Sequence, residues 1–429
     1  MNAVIPRTSR EWWFGPIPRE WVALPLKHLC KRVSLYGANI PADAYEQTGV
    51  RFLRTSDIHD DGALENEGVY VSPELVSEHL LEDGDLLISR SGTVGRAFVY
   101  RSEHGPCSYA GYLVRYVLRD AESPRWLFYV TKSQGFQQWL SASAIEATIG
   151  NVNGEKYANL TLPVPPTSQR KSIADYLDRE TARLDALIAA KERLLGLLAE
   201  KRRAIITRAV TRGLNHQAPL RESGIPWLGE IPAQWRTERA RWLFRERDQR
   251  SDTGEDELLT VSHLTGVTPR SEKDVNMFEA ETTEGYKICL PGDLVINTLW
   301  AWMGAMGVAR MSGIVSPAYN VYEPGPDLEP SYVDALVRLP GFAQEVTRYS
   351  KGVWSSRLRL YPQSFFEVVF PLPPLQEQRD IVAFIATEAA KLDALSTATR
   401  RTVALLKERR AALIAAAVTG QIPVPEEAE

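Results

Sequence analysis

Apolar residues return with helical spacing over two long stretches of the chain. From Ile173 a 4,3 alternation runs through Leu177, Glu180, Leu184, Leu187, Lys191, Leu194, Leu198, Lys201 and Ile205. From Ile381 it runs through Ile385, Glu388, Leu392, Leu395, Thr399, Thr402, Leu406, Arg409 and Leu413. Each is a heptad seam with polar and charged interruptions. Both stretches are almost free of proline and rich in Ala, Leu, Glu, Lys and Arg, which are strong helix formers. A helix of about 45 residues spans roughly 68 Å, too long for one small lobe to cover. Each helix therefore needs a partner, and an antiparallel coiled coil with the other stretch supplies it. In that pairing Glu180 is expected near Arg409, and Glu388 near Lys201.

The intervening stretches have a different rhythm. Short runs such as Leu86-Leu87-Ile88-Ser89, Ala97-Phe98-Val99-Tyr100 and Leu294-Val295-Ile296-Asn297 are bounded by Gly and Asp. That is strand-and-turn punctuation. Residues 125–140 and 331–348 each follow a proline and are expected to be helices packed on the sheets. The lobes therefore read as α/β.

An internal repeat organises both halves at a shift of 208 residues. Pro163-Val164-Pro165-Pro166 recurs as Pro371-Leu372-Pro373-Pro374, Leu184-Asp185-Ala186-Leu187 as Leu392-Asp393-Ala394-Leu395, and Val210-Thr211 as Val418-Thr419. Gly84-Asp85-Leu86 recurs as Gly292-Asp293-Leu294, and the pattern Gly105, Ser108, Ala110 as Gly313, Ser316, Ala318. The opening repeats at a shift of 214, with Trp13, Gly15, Ile17-Pro18 and Trp21 answering to Trp227, Gly229, Ile231-Pro232 and Trp235. The expected layout is a lobe over residues 1–162, a long helix over 163–213, a second lobe over 214–370, a second helix over 371–421 and a tail over 422–429.

Composition narrows the function. A chain of 429 residues with 44% apolar content can bury two or more cores. Neither an apolar run of membrane length nor a signal peptide is present, so a cytoplasmic protein without membrane contact is expected. Cys30, Cys107 and Cys289 are scattered and read as reduced thiols, with no metal-ligand spacing and no metal expected. The formal net charge of −4 argues against coating nucleic acid through bulk electrostatics. By segment the charge is −3 over residues 1–160, +5 over 161–213, −5 over 214–368 and −1 over 369–429. Any DNA contact must be local.

Catalytic motifs are missing. The prolines read Val-Pro-Pro-Thr and Leu-Pro-Pro-Leu, not the Asn/Asp-Pro-Pro-Tyr of an amino-methyltransferase, and no Walker-type loop occurs. The six histidines, His28, His59, His79, His104, His216 and His263, have no recognisable Ser or Cys partnership. No catalytic residue and no cofactor are expected.

Ser223-Gly224-Ile225-Pro226-Trp227-Leu228-Gly229-Glu230-Ile231-Pro232 with Trp235, the Gly-Asp-Leu strand entry in each lobe, and Pro371-Leu372-Pro373-Pro374-Leu375-Gln376-Glu377-Gln378-Arg379 before a long helix resemble Type I restriction-modification specificity subunits. The resemblance spans almost the full chain. It implies two duplicated α/β target-recognition domains, separated by two long helices forming an antiparallel coiled coil in pseudo-twofold relation. It implies that each lobe reads one half of a split site on double-stranded DNA. The helices would space the lobes and dock two methyltransferase (modification) subunits, with nuclease-translocase (restriction) subunits as further partners. The alternative is a coiled-coil assembly protein whose acidic lobes bind protein and not DNA.

The two copies diverge most informatively after the Gly-Asp-Leu strands. The first lobe continues Ser89-Arg90-Ser91-Gly92-Thr93-Val94-Gly95-Arg96, the second Asn297-Thr298-Leu299-Trp300-Ala301-Trp302-Met303-Gly304. Different chemistry in one duplicated frame suits two surfaces reading different bases. Arg90 and Arg96 can contact guanine edges or phosphate, and Asn297 can pair with adenine. The candidate readers are thus Arg90, Ser91, Thr93 and Arg96, and Asn297, Thr298, Trp300 and Trp302. Arg357 and Arg359, in the most basic stretch of the second lobe, are candidates for phosphate. The competing reading is a solvated loop with ordinary charges and two core tryptophans. Gly84-Asp85-Leu86 and its copy are read as structural turns.

Overall fold

The computed structural model describes residues 13–145, 152–273, 282–352 and 358–424. The chain forms two compact units, residues 1–192 with 400–429, and residues 193–399.

In the first unit a four-stranded antiparallel sheet has the order Cys30–Tyr36, Leu113–Leu118, Leu86–Ser89, Ala97–Val99. Leu86 and Ile88 face one core with Trp126, Tyr116 and Tyr157, while Leu87 faces a second with Leu53, Phe98 and Tyr109. A strand buried on both faces reads as an unbroken apolar run, which is why Leu-Leu-Ile was legible as a strand. Beside the second core lies a three-stranded sheet in which Val50–Leu53 pairs antiparallel with Val69–Val71 and parallel with Cys107–Tyr109.

The second unit repeats the four-stranded order with Phe244–Glu246, Tyr319–Pro324, Leu294–Asn297 and Met306–Val308. Leu294 and Ile296 again face one core and Val295 another. Thus the mixed helix-and-strand lobe expected from the sequence is present in each unit.

The helices on the sheets are shorter than expected. The stretch 125–140 divides into Ser123–Lys132 and Gln134–Ile145, because Ser133 is extended (φ −70°, ψ 145°) and its hydroxyl accepts from the Phe136 amide at 3.3 Å. The stretch 331–348 divides into Pro330–Val337 and Pro340–Tyr349. Pro340 has no N–H to donate and holds Leu339 extended, so a single helix there is excluded.

Both long helices are present, Thr167–Arg212 and Leu375–Val418. They start after their double prolines because Pro163 and Pro371 lie in strands, Thr161–Val164 and Val369–Leu372, that pair with Val22–Pro25 and Arg236–Arg239. Each of these sheets has only two strands, so a proline without a ladder donor is tolerated. Both helices end on a glycine with positive φ, Gly213 and Gly420.

The buried stripe departs from the expected seam. Thr181 and Ile188 are buried where Glu180 and Leu187 were expected, and Leu187 and Leu395 are exposed. Contacts from the lobe decide this: Thr181 lies within hydrogen-bonding distance of the Tyr129 hydroxyl, and Asp178 binds Arg125 and Tyr129. The helices are bridged in the first unit by Asp185 with Arg410 and Glu192 with Lys407, and in the second by Arg202 with Asp393. At this register Arg409 falls opposite the neighbourhood of Asp185, roughly 9 Å along the axis from Glu180. Glu388 pairs with Lys391 on its own helix. Neither expected seam pair is the one that forms.

Candidate nucleic-acid interface

In each lobe the strand that follows the Gly-Asp pair enters the sheet over a buried ion pair. Asp85 lies 2.6 Å from Arg115, with both side chains nearly inaccessible, and accepts from the Glu82 amide. Burial pushes the Asp85 carboxyl up, against the opposing pull of that amide and of Arg115. Asp293 holds Arg247 at 2.7 Å and accepts from the Leu290 amide, and its hydrogen bond raises the Arg247 guanidinium. These aspartates fix where the following turn emerges.

The first-lobe turn runs from Ser89 to Arg96. Ser89 is buried, its hydroxyl donating to the Thr93 carbonyl and accepting from the Arg96 amide. The Arg90 amide donates to the Tyr112 carbonyl at 2.9 Å, and its guanidinium lies 5.0 Å from the Tyr36 ring centre. Tyr112 is 64% exposed and Tyr36 is also exposed. Ser91 and Gly92 line a cavity of about 630 Å³ together with Asn39, Tyr45, Arg54, Ser56 and Tyr112. Thr93 is exposed at the tip.

Arg96 is oriented differently. Its Nη1 donates to the Ile58 carbonyl at 2.7 Å and its Nη2 lies 3.0 Å from Asp60, so it braces residues 55–60. That use sets it apart from the three residues at the tip.

In the second lobe the structure removes two candidates. Asn297 is 7% exposed and its amide oxygen accepts from the Leu299 N–H at 3.3 Å. Thr298 is 2% exposed, donates from its hydroxyl to the Ala318 carbonyl at 2.7 Å and accepts from Arg359 Nε at 3.3 Å. The Asn297 oxygen and the Thr298 hydroxyl are engaged in closing the turn and both side chains are nearly inaccessible, so neither presents itself to a base. Trp300 and Trp302 were as readily core residues by sequence. Instead they stack on each other with ring centres 6.2 Å apart, and Trp300 is 51% exposed. The Trp302 indole N–H donates to the Leu299 carbonyl at 3.1 Å. Leu299 and Met303 are exposed beside them. The Arg359 guanidinium lies 5.5 Å from the ring centre of exposed Tyr361. Arg357 lies outside the described residues.

Sequence reasoning missed Tyr36, Asn39, Tyr45, Arg54 and Tyr112. A signal existed for the last. The repeated Gly-Ser-Ala pattern leads into the chain that lies against each turn, receiving Arg90 through the Tyr112 carbonyl in one lobe and Thr298 through the Ala318 carbonyl in the other.

Among the described residues no group of three or more His, Cys, Asp or Glu is placed to hold a metal ion. Cys30, Cys107 and Cys289 are buried, and burial pushes their thiols up to about 12, 11 and 12. Such thiols are poor nucleophiles. No described helix is long and apolar enough to cross a membrane.

Residues 18–195 match the Type I restriction modification DNA specificity domain. The Type I restriction enzyme StySPI specificity subunit of Salmonella potsdam is 20% identical, over 97% of this chain and 92% of its own length. Residues 18–195 thus carry the likeness to a Type I specificity domain, and along nearly its whole length the chain is similar to Type I specificity subunits. A chain from a study of complex assembly and conformational transition of the type I R-M system has a TM-score of 0.68 at 18% identity, covering 95% of this chain and 99% of that chain. The HsdS subunit from Thermoanaerobacter tengcongensis has a TM-score of 0.60 at 17% identity, covering 95% and 98%. These two likenesses show that the chain shares their fold.

Proposed function

We propose that this chain is a Type I specificity subunit that reads a split site on double-stranded DNA, one half per lobe, and lends that reading to two methyltransferase subunits and to nuclease-translocase subunits in the cytoplasm. The carrying observation is one sheet frame used twice with different tips. The same four-strand order ends in Arg90, Ser91 and Thr93 beside a cavity of mixed lining in one lobe, and in the stacked Trp300–Trp302 pair in the other. Rigid strands under chemically different turns suit two independent readers.

The long helices are the spacer and the docking surface in this reading, paired as an antiparallel coiled coil. Partner numbers rise along one helix and fall along the other, as with Asp185–Arg410 and Glu192–Lys407. The repeat extends to this pairing, since a shift of 208 converts Asp185–Arg410 into Asp393–Arg202, the pair within the other unit. The same shift converts exposed Leu187 and Leu197 into exposed Leu395 and Leu405. Apolar residues exposed in duplicate suit docking of two identical partners.

The test is to map methylated bases in cells that express the chain with its modification subunits. Exchanging residues 1–160 for a foreign first lobe is expected to change one half-site and leave the other. If both halves change, the lobes are not independent readers; if specific methylation never appears, the assembly-protein reading takes over.

Arg90→Ala is expected to cost about 1–3 kcal/mol at one base pair and to relax only the first half-site. Arg359 and Arg357 are assigned to phosphate. Arg359→Ala should weaken specific and random DNA alike and lower the salt slope by about one unit. Binding titrations at several salt concentrations separate the two behaviours, and equal losses for Arg90→Ala on specific and random DNA would make it a phosphate contact.

A further inference from the structure

The cavity of the first lobe holds an arginine that sequence reasoning passed over and that is set up more rigidly than Arg90. Arg54 follows the strand Val50–Leu53. Its Nε donates to Asp57 Oδ2 at 3.0 Å and its Nη2 to Asp57 Oδ1 at 2.7 Å. Asp57 is itself fixed, accepting from the Arg54 amide at 2.9 Å and from Ser56 Oγ at 3.3 Å. The Asp57 side chain is 4% exposed and that of Arg54 36%, so the carboxylate is buried and the guanidinium reaches the cavity it lines. The guanidinium carbon lies 5.9 Å from the Tyr45 ring centre.

A guanidinium has five N–H donors in one plane. Asp57 takes the Nε edge with one hydrogen of Nη2, and the Nη1–Nη2 edge is a fork of parallel donors with the Tyr45 side chain also against the guanidinium. A fork of that shape matches the O6 and N7 acceptors of guanine in the major groove. Because Asp57 has already frozen the side chain, little rotamer entropy remains to be lost on contact.

The second lobe supplies an internal comparison. The parallel contact beside each strand keeps the same interval along the chain, with Arg51 beside Cys107 in one lobe and Leu258 beside Ile314 in the other. At the 208-residue shift of the sequence repeat, Arg54 and Asp57 align with Ser262 and Thr265. These two hydroxyls lie 2.9 Å apart, and the Thr265 amide donates to Ser262 Oγ. The position keeps a side-chain bond across the turn in both lobes while the chemistry offered to a ligand changes completely.

We propose that Arg54, positioned by Asp57, is a specificity-determining residue of the first lobe and reads a guanine in its half-site. The inference rests on the lobe being a DNA reader, and the test separates the two. Methylated sites are mapped in cells expressing the full chain with its modification subunits, for the wild type, for the residue 1–160 exchange, and for Arg54→Ala, Arg54→Gln and Asp57→Asn.

The half-site that moves with residues 1–160 is expected to contain a G·C pair at which Arg54→Ala accepts other bases. Discrimination there should fall on the order of 5- to 150-fold, with every other position of the motif kept. Arg54→Gln should relax the same position, and Asp57→Asn should relax it less because the fork survives but is no longer held. An unchanged motif in Arg54→Ala, or an even loss of methylation at all sites without relaxation, overturns the assignment while leaving the lobe a reader. If the lobe exchange moves neither half-site, the reading of the lobe fails and takes this inference with it. Should Arg54→Ala fail to accumulate, Arg54→Gln, which keeps the length of the side chain, decides by the same readout.

Discussion

Asp85→Ala is expected to destabilise the first lobe by about 3–5 kcal/mol, because it strands the buried Arg115 guanidinium without its counter-charge. The carboxylate does more than balance charge, since it also receives the Glu82 amide that closes the turn. Arg115 retains the Leu80 carbonyl and Glu82, but Glu82 is largely exposed and replaces little of the loss. Asp293→Ala in the second lobe should cost less. Arg247 is 18% exposed there and keeps Glu323 at 3.6 Å. Denaturant unfolding of the two variants measures the difference. Equal losses, or less than about 1 kcal/mol for Asp85→Ala, would mean that water already reaches the Arg115 site. Because Leu86–Ser89 carries Arg90 directly, the same change should abolish reading of the first half-site before the second.

The Gly-Asp-Leu copies show how far the sequence could be read. Glycine and aspartate before an apolar run predict a turn into a strand, and Gly84 and Gly292 do take the positive φ that such a turn needs. The arginine that neutralises each aspartate was hidden, since it comes from a different strand environment in each lobe: Arg115 lies within Leu113–Leu118, and Arg247 follows Phe244–Glu246. The duplication preserved the need for a cation but not the residue that supplies it. A similar limit applied to the readers. Divergence between copies singled out these two turns, and Arg90, Ser91, Thr93, Trp300 and Trp302 lie at their accessible parts. It could not tell a polar residue offered to solvent from one consumed in closing the turn, which is the fate of Asn297 and Thr298. Arg54 escaped because its significance depends on Asp57 three residues on and on a cavity assembled from segments far apart in the chain. The helical seam failed more gently. A 4,3 rule applied to one helix follows the largest apolar side chains, whereas burial of Thr181 is settled by Tyr129 reaching in from the lobe.

Truncating the chain after Leu413 is expected to undo the first lobe and spare the second. Ile414, Ala417 and Val418 lie at the far end of the sequence, yet they are buried in the core that contains Trp21, Ile173 and Leu177. Gly420 packs so closely on Pro18 that a Cβ there would approach its ring to 2.5 Å. Ile422 and Val424 add partly buried contacts to the same core. Removing these side chains should cost roughly 4–8 kcal/mol, since each buried aliphatic side chain contributes about 1.5–3 kcal/mol. A loss of that size rivals the whole stability of an ordinary domain, about 5–15 kcal/mol. The second lobe has its own arrangement, with Trp235 packed beside Ala209 and Val210 at the end of Thr167–Arg212. Hydrogen exchange on the truncated chain should therefore show amides of Leu86–Ser89 and Leu113–Leu118 losing protection while those of Leu294–Asn297 and Tyr319–Pro324 keep it. Protection retained in both lobes would mean that the first lobe stands without the end of the second helix. Protection lost in both would mean that the two cores unfold as one cooperative body.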